Sequence, residues 1–147
     1  MNNNTQELTK TERCKQWYQS CKAEQNAKHK TRLRSKYKND PTYRINVLIT
    51  ERIYTTIKRA GGKRCAKITD LLGCTHEEFA QHLQSLWQPG MSWDNHGKHG
   101  WHIDHIKPCN TFDLTDPEQQ KQCFHYSNVR PLWAKINWSR PKDGSDL

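Results

Sequence analysis

Residues 6–38 constrain the fold most, because this long segment contains neither proline nor glycine and few large apolar residues. Lysine, glutamine, glutamate, arginine and alanine dominate it, and these residue types favour a helix. The large apolar positions are sparse: Leu8, Trp17, Tyr18, Leu33 and Tyr37. A helix this polar either lies on a partner or projects into solvent. The core must therefore come from the rest of the chain.

The charge of the chain is divided unevenly between its two halves. Residues 1–68 hold 17 Lys and Arg against 5 Asp and Glu, whereas residues 69–147 hold 7 against 10. A basic first half joined to a slightly acidic second half suggests a polyanion-binding arm attached to a separate functional module. The alternative is a charged helix that interacts only with solvent. A length of 147 residues allows one domain, or one small module with an arm.

Basic residues at helical spacing suit contacts to phosphates, which supply affinity without reading a base sequence. Between Arg13 and Lys38 there are nine basic residues and one acid, Glu24. We therefore predict a basic helical binding region over residues 1–62 and a second domain over residues 63–147. The candidate phosphate-contact residues are Arg13, Lys15, Lys22, Lys28, Lys30, Arg32, Arg34, Lys36, Lys38 and Arg44.

An apolar periodicity begins after Asp40-Pro41, where aspartate suits an N-cap and proline suits the first helical position. It predicts an amphipathic helix that ends at Gly61-Gly62 and turns one apolar face to the core. The residues of that face are Ile45, Leu48, Ile49, Ile53 and Ile57. Two shorter helices are predicted next, over residues 68–72 and from the Thr75–Glu78 capping box to Pro89.

Two short strands are predicted in the second half of the chain. Residues 101–106 alternate in the manner of a strand, and residues 128–133 predict the second one. A short helix beginning at Asp116-Pro117 lies between them, and a helix over residues 134–139 follows. The chain as a whole is therefore predicted to be α+β, with a small core.

Four polar residues of this region have the chemistry that phosphodiester hydrolysis needs. The adjacent Asp104-His105 pair ends the first strand, Asn128 begins the second, and Asn137 lies on the last helix. Hydrolysis requires a base for the attacking water, and histidine exchanges protons near neutral pH. It also requires a cation, and hard divalent ions prefer carboxylate and amide oxygens.

These residues lie in two segments that resemble the HNH endonuclease family, in the variant whose last histidine is an asparagine. The segments are W-H-I-D-H-I at residues 101–106 and F-H-Y-S-N-V-R-P-L-W-A-K-I-N at residues 124–137. The resemblance covers about residues 71–142 and is closest to the small phage-type and homing-type members. It implies a ββα-metal nuclease domain with its core at about residues 101–142. It also implies hydrolysis of double-stranded DNA, by nicking or double-strand cleavage, leaving a 5′-phosphate and a 3′-hydroxyl.

The resemblance implies a role for each of the four residues. Asp104 is similar to the first metal ligand, His105 to the general base and Asn137 to the second metal ligand. Asn128 resembles the asparagine that ties the connecting loop and so positions the base. One Mg²⁺ per site is implied, or else Mn²⁺ or another divalent cation. The alternative is a non-catalytic DNA-binding protein on a degenerate HNH scaffold, with a regulatory role or as an accessory in phage packaging.

Four further residues are candidates with a weaker assignment. His102 shares a strand face with Asp104, so it either supports the metal ligands or touches a phosphate. His125 precedes Asn128 by three positions, and packing is its alternative role. Arg130 and Lys135 are candidate phosphate clamps, although an ordinary solvated surface explains them equally well.

The cysteines argue against structural zinc. Cys14, Cys21, Cys65, Cys74, Cys109 and Cys123 form no C-x-x-C pair, so no structural zinc is expected and free, partly buried thiols are the simplest interpretation. HNH relatives often carry two such zinc pairs, and here tryptophans and the helix near residues 75–87 are expected to support the motif instead. Histidines at every third position from His96 to His105 offer an alternative zinc or nickel site. Gly97 and Gly100 oppose the helix that would align them.

The longest aliphatic run, residues 47–49, is too short for a transmembrane span or a signal-peptide core. We therefore predict a cytoplasmic protein of a phage-infected or bacterial cell, with no membrane partner. The sequence leaves open the DNA target, the choice between nicking and double-strand cleavage, and a homing or packaging role. It also leaves open whether the protein is a monomer or a dimer.

Overall fold

The computed structural model describes residues 8–141 and Ser145. The chain divides into two compact units, residues 1–40 and residues 41–147. This division differs from the predicted boundary at residues 62/63, because the helix that follows Pro41 belongs to the core of the second unit. The ends of the predicted arm and of the predicted nuclease domain, residues 1–7, 142–144, 146 and 147, lie outside the described residues.

The first unit contains the long helix α1, Lys10–Asn39. Its N-terminus has a capping box in which the Thr9 hydroxyl accepts from the Glu12 N–H at 3.3 Å and the Glu12 carboxylate accepts from the Thr9 N–H at 2.7 Å. All thirty residues of α1 are described, and none of them is buried. The predicted polar helix is therefore confirmed, with no apolar face of its own.

The second unit begins with α2, Pro41–Arg59, which buries four isoleucines spaced four residues apart: Ile45, Ile49, Ile53 and Ile57. Each contributes about 1.5–3 kcal/mol by leaving water. The helix α2 packs against α4, His76–Ser85, whose N-terminus has the predicted Thr75–Glu78 capping box. The short helix α3, Ile68–Leu72, packs against α5, Pro117–Phe124.

A two-stranded antiparallel sheet joins β1, Trp101–His105, to β2, Val129–Trp133. In its register Asp104 lies opposite Arg130 and His105 opposite Val129. The helix α6, Ala134–Ser139, follows β2 directly and packs on both strands. Helices together with this small sheet confirm the α+β class. Because a two-stranded sheet is barely stable alone, the packing around it supplies its stability.

Aromatic residues provide much of that support. Trp101 is fully buried, and its indole N–H donates to the Ser92 carbonyl at 2.7 Å. Its ring centroid lies 6.0 Å from that of Trp87 and 5.5 Å from that of Trp93. The loop before β1 approaches closely at Gly100, where an added Cβ would lie 1.5 Å from the Asn95 carbonyl oxygen. This position accepts only glycine.

None of the helices in the described residues combines the length and the apolar character needed to cross a bilayer.

Candidate active site

A cavity of about 350 Å³ lies at the C-terminal end of β1. It brings together three of the four residues of the predicted catalytic set, Asp104 and His105 from β1 and Asn137 from α6. Asn137 reaches Asp104 and His105 because α6, which follows β2, packs against β1. The remaining lining residues are Arg52, Thr56, Pro108, Cys109, Asn110, Arg140 and Pro141.

The Asp104 carboxylate is buried and paired with arginines. Its Oδ2 accepts from Arg140 Nη1 at 2.7 Å and from Arg130 Nε at 3.4 Å. The Arg140 guanidinium also donates to the backbone carbonyls of His105 and Ile106. The Arg140 side chain is 6% exposed. This cation beside the predicted metal ligand is a site residue that sequence reasoning did not identify.

His105 is almost fully buried, with its ring edge-on to Phe124. Its Nδ1 lies 3.4 Å from Nη2 of Arg52 on α2. Because a guanidinium can only donate, this contact assigns the ring lone pair to Nδ1 and the proton of the neutral ring to Nε2. Among the described residues, Nε2 is a buried atom with no hydrogen-bond partner. The sequence did not single out Arg52 for the site.

Asn137 is oriented by His102. The Asn137 side-chain amide nitrogen lies 3.0 Å from His102 Nδ1. Burial lowers the pKa of His102, and the positive charge of Arg52 acts in the same direction. The neutral ring can then accept the amide N–H, which leaves the amide oxygen of Asn137 to accept a hydrogen bond or to ligate a cation. His102 therefore contacts and orients Asn137, a predicted metal ligand.

Asn128 joins the segments on either side of the connecting loop. Its Oδ1 accepts from the Lys107 N–H at 2.8 Å, and its Nδ2 donates to the Cys123 carbonyl at 2.8 Å. Its backbone carbonyl accepts from the Ile106 N–H at 2.8 Å. These bonds hold the residues directly after His105, which is the geometry that a loop-tying asparagine requires.

The structure does not bring His125 to the cavity. Its Nδ1 lies 2.7 Å from the Ser127 hydroxyl and its ring packs on Tyr126. The ring also lies against Gly73, where an added Cβ would be 2.5 Å from His125 Nε2. Lys135 is exposed on α6 and does not line the cavity. Arg130 contacts Asp104, so its charge acts on the carboxylate.

Two cysteines lie beside His105. One ligand atom each of His105, Cys109 and Cys123 all lie within 4.8 Å of one another. The hydrogen bond with Cys123 lowers the pKa of Cys109 to about 5 despite burial, and His105 and Arg52 act in the same direction. The pKa of Cys123 is raised by that hydrogen bond and by burial. Sequence reasoning missed this cluster because the two cysteines are far apart in the chain and form no metal-binding motif.

The alternative histidine site finds no support in the geometry of the described residues, where the candidate metal cluster consists of His105, Cys109 and Cys123. His96 instead packs edge-on against Trp101, with ring centroids 4.7 Å apart. Burial, with the nearby His102 and two arginines, lowers its pKa to about 4.

Most of the predicted phosphate-contact residues are exposed along α1, from Arg13 to Lys38. Arg44 is different, because it lies on α2 in the second unit and is half-buried. Its Nη1 donates to the Trp93 carbonyl at 2.7 Å. Arg44 therefore braces the loop before β1, and its predicted contact with a phosphate stays a prediction.

No family model and no solved structure matches this chain. Two curated relatives are similar, both of them uncharacterized proteins of Acanthamoeba polyphaga mimivirus. The first is 42% identical over 119 residues, which cover 81% of this chain and 49% of the relative. The second is 37% identical over 105 residues, which cover 71% of this chain and 45% of the relative. The chain spans about half the length of these curated relatives. Neither relative is a phage protein, so they do not support the predicted phage setting.

Proposed function

We propose that the chain is a metal-dependent endonuclease of the HNH type, which hydrolyses phosphodiester bonds of double-stranded DNA. The observation that carries the proposal is the shared cavity, which collects Asp104, His105 and Asn137 from a strand end and a following helix. Arginines at the same cavity suit an anionic substrate. The second unit would then contain the ββα-metal arrangement that the sequence resemblance implies.

The residues present fit one hard divalent cation. The ion pairs found among the described residues use Oδ2 of Asp104, which leaves Oδ1 as a donor. The contact between His102 and the Asn137 amide nitrogen leaves an amide oxygen. An all-oxygen donor pair suits Mg²⁺ or Mn²⁺. The ion, when bound, supplies positive charge for the phosphate and the leaving oxygen.

His105 is the base in this mechanism. The lone pair at Nδ1, now 3.4 Å from Arg52, accepts a proton from the attacking water. That contact is long for a hydrogen bond, so water displaces the guanidinium easily and Arg52 turns to a phosphate oxygen. Asn128 keeps the segment after His105 in place through its bonds to Lys107 and Cys123.

The helix α1 supplies sequence-independent affinity in this proposal. Its exposed lysines and arginines contact phosphates, so binding weakens as salt rises. Deleting residues 1–40 is expected to lower DNA affinity and to flatten its salt dependence, while the second unit stays folded. Fluorescence anisotropy with a labelled duplex at several salt concentrations measures both effects. If the deletion left the salt dependence of DNA affinity unchanged, residues 1–40 would not be part of the DNA-binding surface.

Plasmid nicking tests the catalytic proposal. Supercoiled DNA is incubated with Mg²⁺ or Mn²⁺ and wild type, His105→Ala or Asn137→Ala. We expect wild type to relax the plasmid and His105→Ala to be slower by about 10²–10⁴-fold, the usual contribution of a general base. The circular dichroism melting curve checks that each variant is folded. Equal nicking by all three proteins, or none by wild type, contradicts the proposal.

A second candidate function is DNA binding without cleavage, on the same scaffold. The ion pair between Arg140 and Asp104 favours it, because a cation already neutralises the predicted metal ligand. This candidate predicts a mobility shift of duplex DNA with no nicking under any divalent ion. The plasmid assay distinguishes the two functions directly.

A further inference from the structure

Two thiols lie next to the ring that the proposed mechanism uses as a base. Cys109 follows β1, and Cys123 belongs to α5 and is fully buried. The proposed hydrolysis does not use either sulfur. Their position beside His105 therefore needs its own chemical account.

The distances suit a compact metal ion. A tetrahedral zinc ion with Zn–S bonds of about 2.3 Å holds its sulfur ligands about 3.8 Å apart. One atom each of His105, Cys109 and Cys123 already lies within 4.8 Å of the others. Closing onto an ion thus requires movements of about 1 Å or less.

The donor types select the class of ion. Sulfur and imidazole nitrogen favour Zn²⁺ and similar thiophilic ions over Mg²⁺. Among the described residues, Nε2 of His105 is buried without a hydrogen-bond partner. An ion bound there would take the ring lone pair at Nε2 and leave the ring proton at Nδ1. Both His105 and Cys109 line the cavity, so an ion can enter from solvent.

We propose that His105, Cys109 and Cys123 form a binding site for a thiophilic divalent ion of the Zn²⁺ class, and that the bound ion inhibits the nuclease. Three protein ligands leave one position for water, as in open zinc sites. Each thiol ligates as a thiolate and releases its proton to solvent, and no oxidation or reduction takes place.

The inhibitory effect rests on the proposed function and follows from the number of lone pairs on the ring. A neutral imidazole has one nitrogen lone pair and one N–H. A metal that takes this lone pair, at either nitrogen, leaves the other nitrogen protonated. His105 then has nothing with which to accept a proton from water. One ring cannot serve both a zinc ion and the attacking water.

Cobalt titration tests the binding site without reference to activity. The reduced 147-residue chain is titrated with Co²⁺, whose bonds to thiolates give charge-transfer absorption. We expect a one-to-one endpoint, displacement of cobalt by Zn²⁺, and at least tenfold weaker binding for Cys109→Ser and Cys123→Ser. Cys14→Ser, which alters an exposed cysteine, is the matched control. Absent charge-transfer bands in wild type, or an equal loss in Cys14→Ser, would overturn the site.

Two readouts test the effect on His105. In the Mg²⁺ plasmid assay, equimolar Zn²⁺ is expected to slow wild type at least tenfold, whereas the ratio of rates with and without zinc stays within twofold for Cys123→Ser. Nitrogen-15 NMR of the His105 ring is expected to show one metal-bound and one protonated nitrogen. Cobalt binding with an unaltered His105 spectrum contradicts the inhibitory mechanism. Failure of the nuclease proposal appears differently, as no nicking by wild type with zinc-free Mg²⁺, while the titration and the NMR spectrum still decide the metal proposal.

Discussion

The helices α1 and α2 are both rich in basic residues, yet only α2 belongs to the core. The nineteen residues of α2 bury four isoleucines, whereas the thirty residues of α1 bury none. Charge therefore does not separate the arm from the second unit. A row of apolar residues on one side of the helix does, because it gives α2 a continuous face to bury. The predicted boundary at residues 62/63 lies one helix after the division between the two compact units.

The largest expected difference between the two units is in the loss of stability when a buried or an exposed arginine is replaced. Arg140→Ala leaves the buried Asp104 carboxylate without its closest cation, and losing one partner of a buried pair costs about 3–5 kcal/mol. Arg34→Ala, on exposed α1, is the control and is expected to stay within about 0.5 kcal/mol. Urea unfolding of both variants gives the free energies. Similar values for the two would mean that Asp104 is satisfied without Arg140.

The apolar faces give the next largest contrast. Ile49→Ala removes a fully buried side chain from α2 and is expected to lower the free energy of unfolding by about 2–5 kcal/mol. Leu33→Ala on α1 makes a comparable truncation outside any buried cluster and is expected to cost about 0.5 kcal/mol. Chemical denaturation followed by tryptophan fluorescence measures both. A large cost for Leu33→Ala would show that α1 has a buried face.

The histidines of the two units are expected to differ in how they link stability to pH. The pKa of His96 is lowered from 6.5 to about 4 in the folded chain, chiefly by burial. Protonation therefore favours the unfolded state, and stability falls as the pH falls from about 6.5 towards 4. His96→Gln is expected to reduce this loss, whereas His29→Gln on exposed α1 leaves it unchanged. Melting temperatures across that pH range test the difference, and parallel curves for wild type and His96→Gln would contradict it.

The smallest contrast uses the two capping boxes, which have the same chemistry at Thr9 and Thr75. Thr75→Ala is expected to lower the free energy of global unfolding by about 1 kcal/mol, because α4 is part of the core. Thr9→Ala is expected to reduce helical ellipticity without shifting the main unfolding transition, since α1 buries nothing. Far-ultraviolet circular dichroism, combined with urea titration, separates the two. If Thr9→Ala shifted the main unfolding transition, α1 and the core would unfold together.

Local signals in the sequence predicted the elements well. The capping box at Thr75, the aspartate-proline start of α5 and the alternation before Asp104 each lie next to the element they specify. The sequence also identified Asp104, His105 and Asn137, which line one cavity. The catalytic roles of these three residues stay predictions.

Residues with distant partners were not predictable in this way. Arg140 lies directly after the predicted last helix, over residues 134–139, and its pairing with Asp104 depends on how α6 packs on β1. Arg52 reaches His105 from α2, 53 positions away in the chain. The spacing of Cys109 and Cys123 in the sequence matches no metal-binding motif. The two thiols lie together beside His105 only because α5 brings Cys123 there.

The sequence by itself determined the helices, the strands and the polar arm. It also identified the polar residues of the candidate site, which are Asp104 and His105 on β1 and Asn137 on α6. The helices and strands follow from periodicity and caps, which act between residues within about one turn of each other. The tertiary structure alone decided which cation neutralises Asp104, which guanidinium faces His105, and that two thiols share its surroundings. The physical reason is that ion pairs and ligand clusters depend on distances in space, and those distances exist only once the core has formed.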